Sequence, residues 1–318
     1  MKTFLFILIV CIDFVSAGAQ DRNARKINMA VLKGPSGIGL VRMFDTLPVL
    51  PGARIVLTST GSAELMAAKV ISGEYDVAIL PVNVAAKLYS AGIPIRLAAI
   101  TGNGMVSLLT NDRTIRSLAD LRNREVSVAG QGATPDFVFR AILRKAGLDP
   151  DKDLLLNYSL PYPEAAMALA SGKIRTALLP EPFSTMAHMA NPELTSPLDI
   201  DLLWKSATGQ AFYPMTALVV SSKLASEMPG AVRALLDSCR ESLEWVQRNP
   251  AAAGTLAEAH DLGLKAAVAS KSIPRSNFTF MTALEAKPSI EALLSVFLSI
   301  SPVSIGRVLP DGGFYAKF

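Results

Sequence analysis

A glycine-rich turn near the start of the chain has the residue types of a ligand-binding loop. Residues 33–40, KGPSGIGL, follow the apolar run 29–32. A turn between a strand and a helix offers backbone N–H groups and partial positive charge to a polar ligand. The glycine spacing is neither the dinucleotide order G-x-G-x-x-G nor a P-loop, and Thr60 rather than an acidic residue ends the next apolar run. These features argue against a nucleotide site and leave two roles open for Ser36, a helix cap or a ligand contact.

A second small-residue turn, GQGATPD at residues 130–136, matches the first in kind. Thr134 is the expected helix cap and Pro135 the expected first helical residue. Ligands of open α/β sheets bind beyond the carboxyl ends of the strands, where both turns should lie. We therefore predict that the two turns hold one ligand from opposite sides. A helix terminus contributes only ~0.3–2 kcal/mol to a charge, whereas micromolar affinity needs roughly 8 kcal/mol, so side chains must supply the rest.

Nucleophilic and metal-ligating residues are few. Once an N-terminal leader is removed, Cys239 is the one cysteine left, and its apolar neighbours at helical spacing predict a core position. His188 and His260 are the two histidines, and neither lies among other ligand-type residues. No G-x-S-x-G elbow with acid and histidine partners is evident. We expect no catalytic residue, no metal site and no cofactor.

The first residues are typical of an export signal. Lys2 precedes an apolar core at 4–12, and Ala17-Gly18-Ala19 fits the small-x-small cleavage rule. The apolar core is too short for a membrane span, which takes about 20 residues. We predict a signal peptide at 1–19, cleaved near Ala19, and a periplasmic protein. Lipidation at Cys11 is the less favoured alternative, because Val10 is bulky where a small residue is expected.

Length and pattern indicate two α/β lobes. The 318 residues suffice for two domains of ~100–200 residues each. A net charge of +4 without a basic stripe, with only 7% aromatic residues, argues against nucleic acid as a partner. Strand-like runs alternate with helical patterns, which indicates βαβ units. The predicted strands are 28–33, 54–58, 75–80, 95–101, 105–110, 125–129, 154–158, 175–179 and 215–220.

An internal repeat predicts a duplicated lobe. SGEYDVAILP at 72–81 and SGKIRTALLP at 171–180 share the pattern S-G-x-x-x-x-A-aliphatic-L-P. In each copy a helix should end at the glycine and a short strand at the proline. From residue 223 onward the pattern is mostly helical, with helix starts at Pro229 and Pro250.

With these segments the chain resembles the periplasmic solute-binding proteins of ABC transporters, in the family that takes nitrate, alkanesulfonates, taurine and thiamine-pyrimidine or riboflavin-type compounds. The resemblance covers essentially the whole mature chain. It rests on an ordered set of segments: SGEYDVA from 72, SLADLR from 117, the 130–136 turn, LPEPF from 179, PRSN from 274 and LPDGGFY from 309.

The resemblance implies an α/β fold, a two-lobed periplasmic-binding-protein clamp of type II-like form. Each lobe would be a mostly parallel sheet flanked by helices, with the ligand cleft between the lobes. Lobe 1 would be discontinuous, 20–108 plus 211–318 with the C-terminal helices, and lobe 2 would be 109–210.

Carried over to this sequence, the resemblance also implies a set of cleft residues. Ser62 and Asn83 could instead cap the helices that follow them, Glu181 could open a helix with a favourable charge, and the aromatic residues could belong to the core. Thr101 and Asn103 could be ordinary turn residues. The implied ligand-binding residues are Ser36, Gly37, Thr60, Ser62, Asn83, Thr101, Asn103, Gly132, Thr134, Glu181, Phe183, Phe212 and Tyr213.

The implied function is a receptor that closes on a small solute and delivers it to a membrane permease. We expect a monomer without enzymatic activity. Glu181 and the aromatic residues favour a neutral or cationic heteroaromatic ligand, such as a thiamine pyrimidine or flavin precursor, over a sulfonate or nitrate anion. Two further functions stay open, a periplasmic enzyme and a sensor lobe that reports to a kinase. A thiamine-pyrimidine synthase is disfavoured because the chain has no cysteine cluster.

Overall fold

A computed structural model describes residues 24–318. The predicted signal peptide at 1–19 and the alternative lipidation site Cys11 lie outside these residues. Within residues 24–318, no helix combines the length and the apolar character needed to cross a bilayer.

The described strands form two sheets. In chain order they are β1 (Arg25–Leu32), β2 (Ala53–Thr60), β3 (Val77–Pro81), β4 (Ile95–Asn103), β5 (Val106–Thr110), β6 (Glu125–Val128), β7 (Leu155–Asn157), β8 (Thr176–Pro180), β9 (Thr195–Leu198), β10 (Pro214–Ser221) and β11 (Phe278–Thr282). Sheet A has the order β11-β4-β10-β3-β1-β2, and sheet B has the order β7-β6-β8-β5-β9.

Helices cover both faces of the sheets. They are α1 (Pro35–Gly39), α2 (Val41–Asp45), α3 (Ala63–Ile71), α4 (Val82–Ser90), α5 (Thr134–Lys145), α6 (Tyr162–Ala170), α7 (Phe183–Ala190), α8 (Ile200–Thr208), α9 (Ser222–Glu227), α10 (Pro229–Arg248), α11 (Pro250–Ala259), α12 (Ala266–Ser272) and α13 (Ala283–Ile300). Short 3-10 helices lie at Leu118–Leu121, Ile273–Arg275, Pro302–Ile305 and Gly312–Phe314.

The sequence repeat corresponds to a repeat in topology. In sheet A, β3 and β2 flank β1 as parallel neighbours, and in sheet B, β8 and β7 flank β6 in the same way. Gly73 and Gly172, the glycines of the two repeats, both have a φ of +75° directly after a helix, which is the left-handed conformation that glycine adopts without strain. The predicted duplication of the α/β unit is therefore present in the fold.

The sheets are mixed rather than mostly parallel. β10 runs antiparallel to β3, and β5 runs antiparallel to β8. Both strands follow a crossover from the other sheet. Because the crossover delivers the chain at the carboxyl edge of the parallel strands, the next strand must run away from that edge, opposite to its neighbour. The predicted α/β clamp is correct, but its predicted parallel character holds only for three strands of each sheet.

The chain passes between the sheets twice. It leaves sheet A after β4 and enters sheet B at β5, and it returns after α8 to begin β10. We use lobe 1 for sheet A with its helices and lobe 2 for sheet B with its helices. The lobe boundaries remain a prediction. Strand β5 already belongs to sheet B at Val106, before the predicted start of lobe 2 at residue 109.

The long helix α10 shows how the second half of the chain supports sheet A. Its buried side chains recur at helical spacing and face the sheet, and each fully buried aliphatic side chain contributes ~1.5–3 kcal/mol. Cys239 is among them, with its Sγ 3.7 Å from Met43 Sδ, and burial raises the pKa of its thiol to about 12. The predicted core position of Cys239 is thus confirmed.

Candidate functional site

The carboxyl edges of the two sheets meet at the crossovers. The Glu181 N–H, directly after β8, donates to the carbonyl of Met105 at 2.8 Å. Asn277 of lobe 1 donates to Asp201 Oδ2 of lobe 2 at 3.5 Å. The strand order places the ends of β2, β3 and β4 along one edge of sheet A, which we call the lobe-1 edge. The ends of β6 and β8 form the lobe-2 edge.

The lobe-1 edge carries three buried polar side chains with unused acceptors. Thr60 ends β2, Asn83 follows β3 and Asn103 ends β4. Each is at most 8% exposed, and Thr60 Oγ1, Asn83 Oδ1 and Asn103 Oδ1 have no hydrogen-bond partner among the described residues. A buried polar atom without a partner costs ~1–3 kcal/mol, and such atoms are rare in native proteins. Their grouping at one edge makes this edge a candidate ligand-binding surface.

The expectation that Asn83 could cap its helix is excluded by the helix boundary. Helix α4 begins at Val82 with Pro81 as its cap, so Asn83 is already a helical residue. Ser62, in contrast, does cap its helix, since its hydroxyl accepts from the Leu65 N–H at 3.2 Å. Of these two residues, Asn83 remains a candidate ligand contact and Ser62 has a structural partner.

The glycine-rich turn differs from its predicted form. The helix α1 begins at Pro35 with Gly34 as its cap, so Ser36 is not the cap. Gly37 is buried, and a Cβ at this position would lie 3.0 Å from the Leu32 carbonyl and 3.3 Å from the Leu262 side chain. The glycine at 37 is therefore required by the packing of the turn under Leu262.

The crossing strands contribute fewer free groups than predicted. Thr101 lies within β4, not in a turn, and its Oγ1 is 3.0 Å from Thr216 Oγ1. Tyr213 is fully buried, with its ring centroid 5.5 Å from that of Trp204. Phe212 is half-buried, and its carbonyl accepts from Trp204 Nε1 at 3.2 Å. Tyr213 therefore belongs to the core, which is one of the two positions that the sequence leaves open for it.

A cavity of about 480 Å³ lies beside these strands at the crossover. Both lobes line it, since Asp201 comes from α8 and Asn277 from the segment before β11. Burial raises the pKa of the Asp201 carboxyl, and hydrogen bonds from the Tyr213 hydroxyl and the Asn277 amide oppose this shift. Its lining residues include Asn103, Gly104, Asp201, Phe212, Asn277 and Phe278.

The second turn is held by an internal ion-pair network. Asp136 is 3% exposed; its Oδ2 accepts from the Gly132 N–H at 2.9 Å and its Oδ1 from Arg140 Nε at 2.9 Å. Tyr158 donates to the same Oδ1 at 2.8 Å. The Gly132 N–H, predicted to face a ligand, is thus already occupied by Asp136.

The predicted cap of this turn is also wrong by one residue. Helix α5 begins at Thr134, with Ala133 in extended backbone before it and Pro135 as the second helical residue. Asp136 takes over the role of the cap by binding an N–H of the turn. Thr134 is 4% exposed and lies at the helix start, at the lobe-2 edge.

Glu181 is a buried carboxylate at the lobe-2 edge. It is 1% exposed, Ser184 donates to its Oε1 at 2.5 Å, and the Thr185 N–H donates to its Oε2 at 3.3 Å. Burial raises the pKa of Glu181, and the hydrogen bonds from Ser184 and Thr185 and the charge of Arg275 oppose this shift. The helix-opening role expected for Glu181 is partly right, since its carboxylate binds the first turn of α7.

Phe183 contributes to an aromatic wall next to Glu181. Its ring stacks on Tyr162, with centroids 5.3 Å apart and planes at 12°. Burial raises the pKa of Tyr162 to about 12, so its hydroxyl stays protonated. A Cβ at Gly130 would lie 2.7 Å from the Tyr162 hydroxyl oxygen. Gly130 is therefore needed where Tyr162 crosses the turn.

Several site residues were not found from the sequence. Thr185, Arg275 and Asp201 come to the inter-lobe region from segments far apart in the chain. Arg275 belongs to the PRSN segment that carried part of the resemblance, and Thr185 lies one helical turn after Glu181. Their positions relative to the PRSN segment and to Glu181 were the signals in the sequence that could have identified Arg275 and Thr185. The sequence gave no such signal for Tyr162, because its stacking on Phe183 is a tertiary contact.

Comparison with known proteins gives one family and many related folds. The model of the NMT1-like family matches residues 20–260. A crystal structure of an ABC transporter protein from Parabacteroides distasonis is 28% identical, with a TM-score of 0.79 over 92% of this chain and 98% of that one. No curated protein sequence matches the chain.

Two further structures share the fold at low identity. The periplasmic aliphatic sulphonate-binding protein SsuA from Escherichia coli is 15% identical, with a TM-score of 0.70 over 90% of this chain and 92% of its own. The periplasmic nitrate-binding protein NrtA from Synechocystis PCC 6803 is 15% identical, with a TM-score of 0.60 over 89% of this chain and 84% of its own. Since the family match spans most of the sequence, the chain belongs to the NMT1-like family and has the fold of periplasmic binding proteins.

Proposed function

We propose that this protein is the exported solute-binding component of an ABC importer. Membership of the NMT1-like family and the 28% identity to an ABC transporter protein support this role. The two-lobed arrangement suits it as well, because hinge closure around a solute changes the shape that a permease meets. The leader predicted at residues 1–19 supports a periplasmic location, and no chemistry is required of a receptor that only binds and releases.

The observation that carries the proposal is the group of unpaired acceptors at the lobe-1 edge. Thr60, Asn83 and Asn103 lie at the ends of three strands of one sheet, each buried and each with a side-chain oxygen that has no partner within residues 24–318. A solute with N–H or O–H groups would satisfy them on closure. The gain is large for each because a buried acceptor is otherwise left without a partner.

We propose further that the solute is a small heteroaromatic compound, neutral or cationic. The oxygens of Thr60, Asn83 and Asn103 are acceptors, which suit the N–H groups of such a ring. The wall of Tyr162 and Phe183 offers a flat apolar surface for stacking. A nitrate or a simple sulfonate, which has no donors at neutral pH, would accept from the Thr60 hydroxyl but would leave Asn83 Oδ1 and Asn103 Oδ1 unpaired. These anions are the competing ligand class.

Identification of the bound solute is the most direct experiment. The mature protein is purified without refolding and denatured, and the released small molecules are analysed by mass spectrometry. A thermal-shift screen then compares pyrimidines and flavins with alkanesulfonates and nitrate. We expect a heteroaromatic compound and stabilisation by that class. Stabilisation by sulfonates or nitrate alone would overturn the ligand class while leaving the transport role intact.

A pair of matched variants tests the position of the site. Thr60→Val removes a buried hydroxyl oxygen that has no partner, so we expect little loss of stability and a solute affinity reduced about tenfold, as for one lost hydrogen bond of ~1.5 kcal/mol. Thr110→Val removes a buried hydroxyl that donates to the Arg175 carbonyl and accepts from the Asp112 N–H, both at 3.0 Å. This control should lose ~1–3 kcal/mol of stability and keep its affinity. Equal affinities of the two variants would contradict the assignment of the lobe-1 edge.

A further inference from the structure

A cavity in lobe 2 lies at the end of the lobe that faces away from lobe 1. Its volume is about 510 Å³. Glu125 begins β6, Thr176 begins β8, and Asp112 follows the end of the antiparallel strand β5, so the cavity lies at the edge of sheet B opposite the lobe-2 edge. The charged residues that line it are Asp112, Arg124, Glu125, Lys173 and Arg175.

Both acidic residues of this cavity already have partners within lobe 2. Asp112 Oδ1 accepts from the Thr114 N–H at 2.9 Å, and Asp112 Oδ2 lies 3.5 Å from Arg124 Nη1. Glu125 Oε1 accepts from Asn157 Nδ2 at 2.6 Å. The two carboxylates are therefore held by neighbouring residues of their own lobe.

Two of the three cations of the cavity have no such partner. Within residues 24–318, neither Lys173 nor Arg175 forms an ion pair. Hydrogen bonds from Thr114 lower the pKa of Asp112, and the charges of Arg124 and Arg175 add to this shift. Because three cations and two carboxylates line the cavity, its net charge is positive.

The same positions of the first sequence repeat have the opposite charge, and there the charges have partners. Glu74 and Asp76 stand in the 72–81 repeat where the 171–180 repeat has its lysine and its arginine. Glu74 Oε1 accepts from Lys69 Nζ at 2.7 Å, and Asp76 Oδ2 accepts from the Asn28 N–H at 2.9 Å. Lobe 1 thus supplies a partner for each of these charges, whereas lobe 2 leaves its two cations for a partner from outside the chain.

A buried hydroxyl adds a neutral donor to the cavity. Ser127 of β6 is 3% exposed and belongs to the lining. The polar side chains beside it are bonded elsewhere, Asn157 to Glu125 and Thr176 to Thr110. Within residues 24–318 the Ser127 hydroxyl is thus left without a hydrogen-bond partner, which is rare for a buried polar group. The unused polar groups of the cavity are therefore donors.

We propose that this cavity binds a small oxyanion, a phosphate or a carboxylate group, at the end of lobe 2 opposite the lobe-2 edge. Lys173 and Arg175 bind it through charge-assisted hydrogen bonds, for which the planar guanidinium is well suited. The Ser127 hydroxyl donates a further hydrogen bond. The bound oxyanion neutralises the positive charge of the cavity and stabilises the folded protein by mass action. The inference goes beyond the proposed function and does not depend on it.

Two isoleucines of the lining provide a local readout. Ile115 and Ile174 line the cavity, whereas Ile71 ends α3 in lobe 1 and is 55% exposed. The mature protein, labelled at its isoleucine methyl groups, is titrated with sodium phosphate and separately with sodium acetate. Sodium chloride keeps the ionic strength constant, the methyl resonances are followed by NMR, and isoleucine-to-valine variants assign the three signals.

We expect saturable shifts of Ile115 and Ile174 with at least one of the two anions and no shift of Ile71. A response to phosphate alone identifies a phosphate site, and a response to acetate identifies a site that accepts carboxylates. If neither anion moves the two resonances, or if Ile71 moves equally, the proposal is wrong.

Two charge variants separate a specific site from general attraction. Arg175→Gln should reduce the affinity for the bound anion at least about tenfold, the effect of losing one charge-assisted hydrogen bond. Lys87→Gln removes the same charge from an exposed residue of α4 in lobe 1 and should leave the affinity unchanged. Equal affinities of the two variants would mean an adventitious ion only and would overturn the proposal.

Two serine variants test the buried hydroxyl. Ser127→Ala should weaken anion binding about three- to tenfold and leave the melting temperature of the anion-free protein unchanged, because the hydroxyl has no partner to lose. Ser242 is 1% exposed and donates to the Gly39 carbonyl at 3.1 Å, so Ser242→Ala should lower the melting temperature and keep the anion affinity. The reverse pattern would contradict the role of Ser127. Thr60→Val should not alter the Ile115 and Ile174 response, so this inference and the proposed function fail separately.

Discussion

The lobe-1 edge and the lobe-2 edge both face the inter-lobe region and have the same strand topology. Their side chains differ in charge. At the lobe-1 edge, the residues with free atoms are neutral: Thr60, Asn83 and Asn103 each have an unused oxygen. At the lobe-2 edge, two of the buried polar residues are carboxylates, and Asp136 and Glu181 have their hydrogen-bond partners within their own lobe. The two lobes therefore share the arrangement of their strand ends but differ in the side chains at those ends.

This difference indicates a division of roles between the lobes. A carboxylate that is buried with its own donors keeps a fixed geometry and costs nothing further when a solute arrives. A neutral acceptor without a partner gains only when a solute supplies the donor. We infer that lobe 2 acts as a preorganised wall and that lobe 1 supplies the hydrogen bonds that discriminate between solutes. Substitutions in the two lobes test this contrast.

The largest expected effect is at Asp136. Asp136→Ala leaves the Arg140 guanidinium, whose side chain is 12% exposed, without its buried partner and frees the Gly132 N–H. Removing one partner of a buried pair costs ~3–5 kcal/mol. Since Arg140 keeps its contact with Asp151, we expect a loss at the lower end of that range, measured by urea unfolding.

The control for this variant is the other partner of Arg140. The Asp151 side chain is 60% exposed, and exposed ion pairs contribute ~0–1 kcal/mol. Asp151→Ala should therefore lose less than about 1 kcal/mol. Similar losses for the two variants would show that the network is a surface feature and that the lobe-2 turn is not held from within.

The positions of most strands along the chain were accessible from the sequence, and the reason is local. Apolar runs such as 75–80 and 175–179 lie between a glycine, which ends the preceding helix, and a proline, which ends the strand. Both effects depend on only a few neighbouring residues. Strands β9 and β11 and helix α8 were missed. Strand β9 (TSPL) is short and polar and contains a proline, and β11 lies within a stretch of helical pattern, so their pairing with β5 and β4 depends on tertiary contacts.

Only part of the candidate site could be predicted from the sequence, because the type of a residue does not show whether its side chain already has a hydrogen-bond partner. Serine and threonine are typical both of helix caps and of ligand contacts, so the residue types of Ser36, Ser62 and Thr134 do not separate the two roles. Only the backbone shows that Ser62 caps a helix and that the other two do not. Asp136 is adjacent to the predicted turn, yet its bond to Gly132 requires the folded turn. The charge of Arg275 acts on Glu181 from the other lobe, and no local pattern brings these two residues near each other.

Substitution of one glycine in each of the two turns compares the two lobes further. At Gly37 an added Cβ would lie 3.0 Å from the Leu32 carbonyl oxygen and 3.3 Å from the Leu262 side chain, whereas Gly132 has a φ of +74° and no atom within 4 Å of an added Cβ. Gly37→Ala should cost ~1–3 kcal/mol through overpacking, and Gly132→Ala about 1–2 kcal/mol through backbone strain. Both losses are read from chemical unfolding of the ligand-free protein.

Asparagine separates the two causes. It tolerates the left-handed conformation better than alanine, so Gly132→Asn should recover part of the loss seen in Gly132→Ala. At Gly37 the larger side chain worsens the overlap, and Gly37→Asn should be less stable than Gly37→Ala. The same ranking of alanine and asparagine at both positions would mean that one cause acts in both turns.

The smallest expected effect is a pair of opposite pH dependences. Glu181 and Glu64 each accept from a serine, Ser184 at 2.5 Å and Ser62 at 2.6 Å. Burial raises the pKa of Glu181 above its ordinary value of 4.5, whereas the Ser62 hydrogen bond lowers that of the more exposed Glu64. Two similar pairs at the two edges thus shift in opposite directions.

The signs follow from proton binding. A folded state with a raised carboxyl pKa binds more protons than the unfolded chain, so the Glu181 contribution is complete below pH 4.5 and is lost as the pH rises through the folded pKa. The Glu64 contribution is present above pH 4.5 and is lost as the pH falls. Glu181→Gln should therefore gain stability relative to the parent protein between about pH 4 and about pH 7, and Glu64→Gln should lose it. Unfolding free energies at the two pH values measure both trends, and parallel trends would show that burial of Glu181 does not distinguish the two edges.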